Sequence, residues 1–397
     1  MSILKGFVVV VALTLASCSL NTDYFSDYNN VNLLSNWDFT SQTATTPNWA
    51  LSTTPDYMNW TDLGVGTGPT ASSHAYRLEI KNLIPNGDFT ASSPGSLINN
   101  PASAWSISGS GTATVVPAGS AVTTQGGTSV TLSVPSINWK SSLPTDTLTL
   151  NLNSALGISS ISGKPIWQSG QYNLQMSFID LFTATLCQLN FVPTTGTITS
   201  WTYPNSGQSN TQYPTQYLNT LNSPGALVSN LIAYSGSNDA LVFTTATNTQ
   251  NILFSSLRLV RSDLPLYVST SLPSLTSGTL QLIPGTYQFS IWVKQDPTAG
   301  TANRFAATGL TINITAATQP GNTGTFQEFV PNTGWTSSNW TLVTFPLGTV
   351  DFVDYDSQHT GTPALTIALS PTNIYNDSPS LDAGSLLVAS PTLQFLH

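Results

Sequence analysis

Charge is what this 397-residue chain has least of. Charged residues make up 7% of it, against about 25% in ordinary soluble domains. Lys and Arg together number 9 against 18 acids, for a net charge of −9. No basic patch can be assembled from so few cations, which excludes nucleic acid as a partner. Glutamate is reduced to Glu79 and Glu328, and histidine to His74, His359 and His397, scattered along the chain with no His-Glu-X-X-His or Gly-X-Ser-X-Gly among them. Glycoside hydrolysis needs two carboxylates flanking the bond and would have to draw them from aspartates. The chain therefore reads as a non-enzyme, and Glu79, in Tyr76-Arg77-Leu78-Glu79, as the partner of a neighbouring charge. Apolar runs are short as well. The longest useful one, Phe7 to Ala16, stops near ten residues where a transmembrane helix needs about 20.

That run follows Lys5 and precedes small residues and a cysteine, the order of parts in an export signal. Leu15-Ala16-Ser17-Cys18 resembles the lipobox of bacterial lipoproteins. The resemblance implies a diacylglyceryl group on the Cys18 thiol and cleavage that makes Cys18 the new N-terminus. Residues 1–18 are then signal and lipobox, and 19–30 a tether. Ser19 looks like the outer-membrane sorting option of that family, so the expectation is an exported protein, lipid-anchored to a bacterial membrane at the outer membrane or cell surface. Cys187, the only other cysteine, is left without a partner, so no disulfide is expected despite an oxidising compartment. In Leu186-Cys187-Gln188-Leu189 it reads as a small core residue.

What the chain has instead of charge is Ser, Thr, Asn and Gly, with 10 Trp, 13 Tyr and 16 Phe. Disordered chains lack such rings, so cores are expected. Thr128 to Val134, Thr147 to Leu152, Tyr172 to Phe178, Ala240 to Thr244, Tyr287 to Val293 and Leu310 to Ile314 alternate apolar and polar residues between Gly, Pro, Asn and Ser clusters, which predicts half-buried strands. Short helices are expected at Gln216 to Leu221 and Ala226 to Ile232. Many short strands without βαβ units indicate an all-β sandwich or barrel.

An internal repeat organises these strands. An opening element occurs as Asn32-Leu33-Leu34-Ser35-Asn36-Trp37-Asp38-Phe39-Thr40 and as Asn82-Leu83-Ile84-Pro85-Asn86-Gly87-Asp88-Phe89-Thr90, each followed by a Trp strand at Trp49 or Trp105. A middle element, Gly-X-Tyr leading into a strand, occurs at Gly170 and Gly285; a closing apolar strand occurs at Ile252 to Val260 and Leu381 to Leu393. The order is opening, opening, middle, closing, middle, closing. Nesting explains it: residues 82–262 form one module inserted into another made of 31–81 plus 263–397. The two have closely similar lengths, and 31–81 alone would bury too little surface to be stable. Insertion is tolerated where the ends of a surface loop lie side by side.

These elements resemble carbohydrate-binding modules of the family 4, 9 and 22 type, in the galactose-binding-like jelly-roll superfamily. The resemblance implies two jelly-roll β-sandwiches, the second inserted into the first, and a glycan ligand. It also implies a structural calcium held by acidic residues of the opening and closing elements. Thr40 and Thr90 stand where the family has Glu, and Ser255 and Ser256 where it has Asp. Only the outer module, with Asp38 and Asp382, keeps acids for such an ion.

Sugar binding needs exposed ring faces beside amides and hydroxyls. Period two puts Tyr287, Phe289, Ile291 and Val293 on one face of their strand and Trp292 on the other, with Ser290 and Lys294. Trp292 is therefore the leading platform, followed by Trp60, Trp335, Trp340 and Tyr355 in polar surroundings, while Trp49 and Trp105 read as core. Asp351, Asp354 and Asp356 lack the Gly and terminal Glu of an EF-hand loop and read as a solvated turn. The function implied is a non-catalytic, lipid-anchored surface protein binding glycan or another extracellular ligand through a sandwich face. The alternative is a structural or adhesive lipoprotein contacting other proteins.

Overall fold

A computed structural model describes residues 31–34, 49–90, 95–96, 104–123, 129–132, 134–157, 161–180, 187–203, 228–245, 250–273, 284–301, 303–318, 324–350, 363–374 and 382–396. Cys18, the 19–30 tether, Asp38, Tyr355, the Asp351–Asp356 turn and Gln216 to Leu221 lie outside them, as does the side chain of Cys187.

The strands in chain order are β1 (Ala50–Leu51), β2 (Met58–Val65), β3 (His74–Ile80), β4 (Gly95–Ser96), β5 (Trp105–Ser108), β6 (Thr112–Val116), β7 (Ala121–Thr123) and β8 (Ser129–Thr131). They continue with β9 (Ser136–Ser141), β10 (Thr147–Asn151), β11 (Gln171–Asp180), β12 (Cys187–Val192), β13 (Thr199–Tyr203), β14 (Val228–Ala233), β15 (Ala240–Thr245) and β16 (Gln250–Arg261). The last are β17 (Val268–Pro273), β18 (Gly285–Gln295), β19 (Gly309–Ala316), β20 (Thr325–Pro331), β21 (Thr341–Val350), β22 (Pro363–Ser370) and β23 (Gly384–Phe395).

The chain is all-β, two jelly-roll sandwiches with the second inserted into the first, and hydrogen bonding sorts the strands accordingly. β1-β17-β22-β19-β20 and β2-β3-β23-β18-β21 join strands before residue 81 to strands after 267; β13-β12-β15-β10-β5 and β14-β11-β16-β9-β6-β4 use only strands between them. In each module one sheet holds the closing strand (β16 or β23) and the other faces it across the core. Alternation drives the burial: along β18, Tyr287, Phe289, Ile291 and Val293 are buried while Gln288, Ser290, Trp292 and Lys294 are half-buried. In the inner module Phe243 of β15 stacks on Phe254 of β16 at 4.8 Å, with Trp105 of β5 within 6.2 Å of both rings, and this fastens sheet to sheet. In the outer module Trp49, just before β1, reaches Trp60 of β2 at 6.2 Å.

The repeat is visible atom by atom. Asn32 accepts from the backbone N–H groups of Leu34 and Leu393 and donates to Pro391 O. Asn82 accepts from those of Ile84 and Leu259 and donates to Leu257 O. Each opening asparagine thus stitches its segment beside the closing strand where that strand is bulged. The bulges carry Ser390 at φ 45° and Ser256 at φ 55°, positive values that non-glycine residues adopt when the surroundings impose them. The shared Gly-X-Tyr turn has a packing reason in the inner module: a Cβ at Gly170 would collide with the Arg261 guanidinium.

Two local expectations are corrected. Ala226 to Ile232 does not form a helix: β14 occupies Val228–Ala233 and pairs with the open edge of β11 from Gln171 to Met176. A two-turn helix closes too few backbone bonds to compete with a ready sheet edge. Conversely, the strand expected to run through Leu152 stops at Asn151, whose side chain caps a short helix, α1 (Leu152–Leu156), by accepting from Ser154 N at 2.8 Å.

Candidate functional site: an aromatic face beside a charge-locked junction

The scarce arginines are paired with carboxylates, and two of the pairs, Arg258–Asp382 and Arg261–Asp263, join the two modules. All four arginines are ion-paired: Arg77 Nε to Asp296 at 2.7 Å, Arg304 Nε to Glu79 at 3.1 Å, Arg258 Nη1 to both Asp382 oxygens at 2.7 and 2.6 Å, and Arg261 to Asp263. Arg258 belongs to the inner module and Asp382 to the outer, and the guanidinium lies over Phe305 at 3.9 Å. Asn303 on the outer side adds a polar clasp: its amide donates to Ile84 O and accepts from Gly87 N and Asn82 Nδ2, while its backbone N–H donates to Asp88. On the other flank Tyr57 OH accepts from Gln168 Nε2 at 2.8 Å. For Asp296, burial opposes ionisation, but Thr298, Arg77 and Ser385 outweigh it and hold the carboxyl below its ordinary value. Burial pushes the Asp382 carboxyl up, with Arg258 pulling the other way.

Asp382 does not fit a calcium site. It is 4% exposed, and both oxygens face a guanidinium, itself a cation in the place an ion would take. Among the described residues no three His, Cys, Asp or Glu converge as metal ligands.

Of the aromatic candidates, the structure places two on one side of the same sheet. Trp292 lies on the outward side of β18, opposite Leu342 of β21 and Ala389 of β23. Lys294, two residues on, reaches the Trp340 ring at 5.7 Å. Leu342, on the edge strand β21, is 47% exposed, while Ala389 and Leu387 of β23 on the same side are buried, so the face is accessible along its β21 edge. Below Trp292 the hydroxyls of Ser290 and Thr392 meet at 2.6 Å. The result is two half-buried indoles and an exposed leucine, with hydroxyls at one end and an ammonium at the other.

Trp335 and Trp60 are corrected. Trp335 is 7% exposed and belongs to the core, because the turn Asn332–Trp335 folds its indole inward. Trp60 is turned to the core side, in register with Leu78, with its ring stacked on Tyr76 at 4.5 Å.

The facing sheets present a different surface. Ser106, Thr149, Val242, Asn190 and Ser200 form one outward row across the inner one; Ser269, Ala368, Asn313 and Gln327 form the matching row on the outer one. Neither row holds a ring or a charge, although Phe329 of β20 lies one row away on the outer one, opposite Thr311.

No family model and no curated protein matches the chain. Among solved structures, the N-terminal CBM22-1-CBM22-2 tandem domain of Paenibacillus barcinonensis Xyn10C matches with a TM-score of 0.23 and 8% identity, over 77% of this chain and 97% of that one. The assignment of the fold rests on the sheet topology itself.

Proposed function

We propose that this is a non-catalytic, lipid-anchored surface protein built of two nested modules, 31–81 plus 263–397 and 82–262, whose outer module binds glycan on the face around Trp292. The observation that carries the reading is the placement of two half-buried indoles on one side of the sheet, beside the exposed Leu342 and the Ser290–Thr392 hydroxyls. Ring faces take the apolar side of a pyranose, and adjacent hydroxyls take its OH groups. Retention of residues 19–397 in gels containing polysaccharide tests it. Trp292→Ala is expected to weaken retention about tenfold, equivalent to about 1.4 kcal/mol; undiminished retention of that variant, or none by the native protein, would sink the proposal.

The anchor is tested separately. In bacteria fed a labelled fatty acid, the label is expected on a peptide beginning at Cys18, and unlabelled protein would remove the lipid from the reading.

The second reading, a structural or adhesive role, draws on the junction, where a buried ion pair and the Asn303 clasp tie one module to the other as a spacer requires. An adhesive partner would be a protein, and its binding would survive Trp292→Ala.

A further inference from the structure

We infer that the glycan taken by the Trp292 face is an acidic one, its carboxylate or sulfate groups meeting Lys294. This rests on the reading of that face as the binding site. The reason lies in how the chain uses its cations. Every arginine is committed to a carboxylate, and Lys81 donates to Pro55 O. Lys294, like Lys140 and Lys164 of the inner module, has no carboxylate partner among the described residues, but of the three it stands against an aromatic ring. Its ammonium instead stands 5.7 Å from the Trp340 ring, two residues from Trp292 on the same side of β18.

The acids of β3 and of the turn that follows β18 are already engaged. Glu79 is held by Arg304 and Asn59, and Asp296 by Arg77, Thr298 and Ser385. Lys294 is therefore left as a local positive point at the edge of two ring faces, on a protein whose net charge is −9. A neutral sugar gains at most an ordinary hydrogen bond from an ammonium there, whereas a sugar chain with anionic substituents gains a stronger, charge-assisted one while its ring lies on Trp292. The protein's overall negative charge repels such a polymer at long range, but that repulsion is screened beyond about 8–10 Å at ordinary ionic strength, and the Lys294 contact lies inside that distance. An ammonium is a point charge without the planar fork that selects one anion geometry, so carboxylate and sulfate are both admitted.

Affinity electrophoresis of residues 19–397 in gels of polygalacturonate, sulfated galactan or neutral galactan tests this. Expected is stronger retardation in the acidic gels, weakening with added salt. Lys294→Gln should lose about fivefold of it there and less in the neutral gel, with Lys294→Arg restoring most. Circular dichroism of each variant verifies folding. Retardation equal in acidic and neutral gels, or unchanged by Lys294→Gln, would overturn the acidic assignment while leaving the Trp292 site standing. Retardation insensitive to Trp292→Ala would instead overturn the site, and this inference with it.

Discussion

Asp382→Ala is expected to lower the free energy of unfolding by about 3 to 5 kcal/mol, read from the midpoint of urea unfolding followed by tryptophan fluorescence. The size comes from what remains behind. Arg258 and Asp382 are 6% and 4% exposed, and removing the carboxylate leaves a guanidinium buried over Phe305 with its charge uncompensated. Arg258→Met is expected to cost less, because Asp382, whose carboxyl burial has already pushed up, can take a proton instead of staying charged. The double variant Arg258→Met/Asp382→Leu should recover most of the loss, since replacing a buried pair by apolar groups of similar volume is often neutral or stabilising. A double variant no better than Asp382→Ala would show that the pair does more than neutralise itself. A loss below about 1 kcal/mol in Asp382→Ala would mean that the two groups are solvated and the junction open.

The arginine pairs were the part of the molecule least visible in the sequence. Arg258 and Asp382 are 124 residues apart and Arg77 and Asp296 are 219 apart, so no local pattern joins them. Their one signal was rarity: in a chain with so little charge, an arginine on a strand such as Ser256-Leu257-Arg258-Leu259 has a specific reason to be there. The sandwich strands were legible because burial of one face imposes period two, as along β18. The nested topology was legible because the repeat preserved asparagines whose job is to bind a closing strand. Trp292 could be placed outward by parity alone. Trp335 could not be placed, since Asn332, Thr333 and Gly334 make its surroundings polar in sequence while the turn they form carries the indole into the core. The approach of Lys294 to Trp340 depends on the pairing of β18 with β21, which sequence does not register.

Asn82→Ala should be the next most damaging single change, at about 3 kcal/mol, and it separates nesting from simple duplication. Asn82 and Asn32 make the same three bonds to their own modules, but Asn82 Nδ2 also donates to Asn303 Oδ1 of the outer module at 3.0 Å. Its loss leaves Leu259 N, Ile84 N and Leu257 O without their side-chain partner. At about 1 kcal/mol for each such bond, more where the group left behind is buried, the fourth bond makes Asn82→Ala costlier than Asn32→Ala by about 1 kcal/mol. The larger consequence is one of coupling. Asn303 accepts from both Asn82 and Gly87 and donates to Ile84 O, so Asn82→Ala and Asn303→Ala should be non-additive in a double-mutant cycle by about 1 kcal/mol or more, whereas Asn32→Ala and Asn303→Ala should simply add. Additivity in both cycles would mean that the inner module merely hangs from the outer one. Coupling confined to Asn82 means that the chain, on leaving β3 at Ile80, is captured by the outer module's own loop at the point where it begins the inserted sandwich.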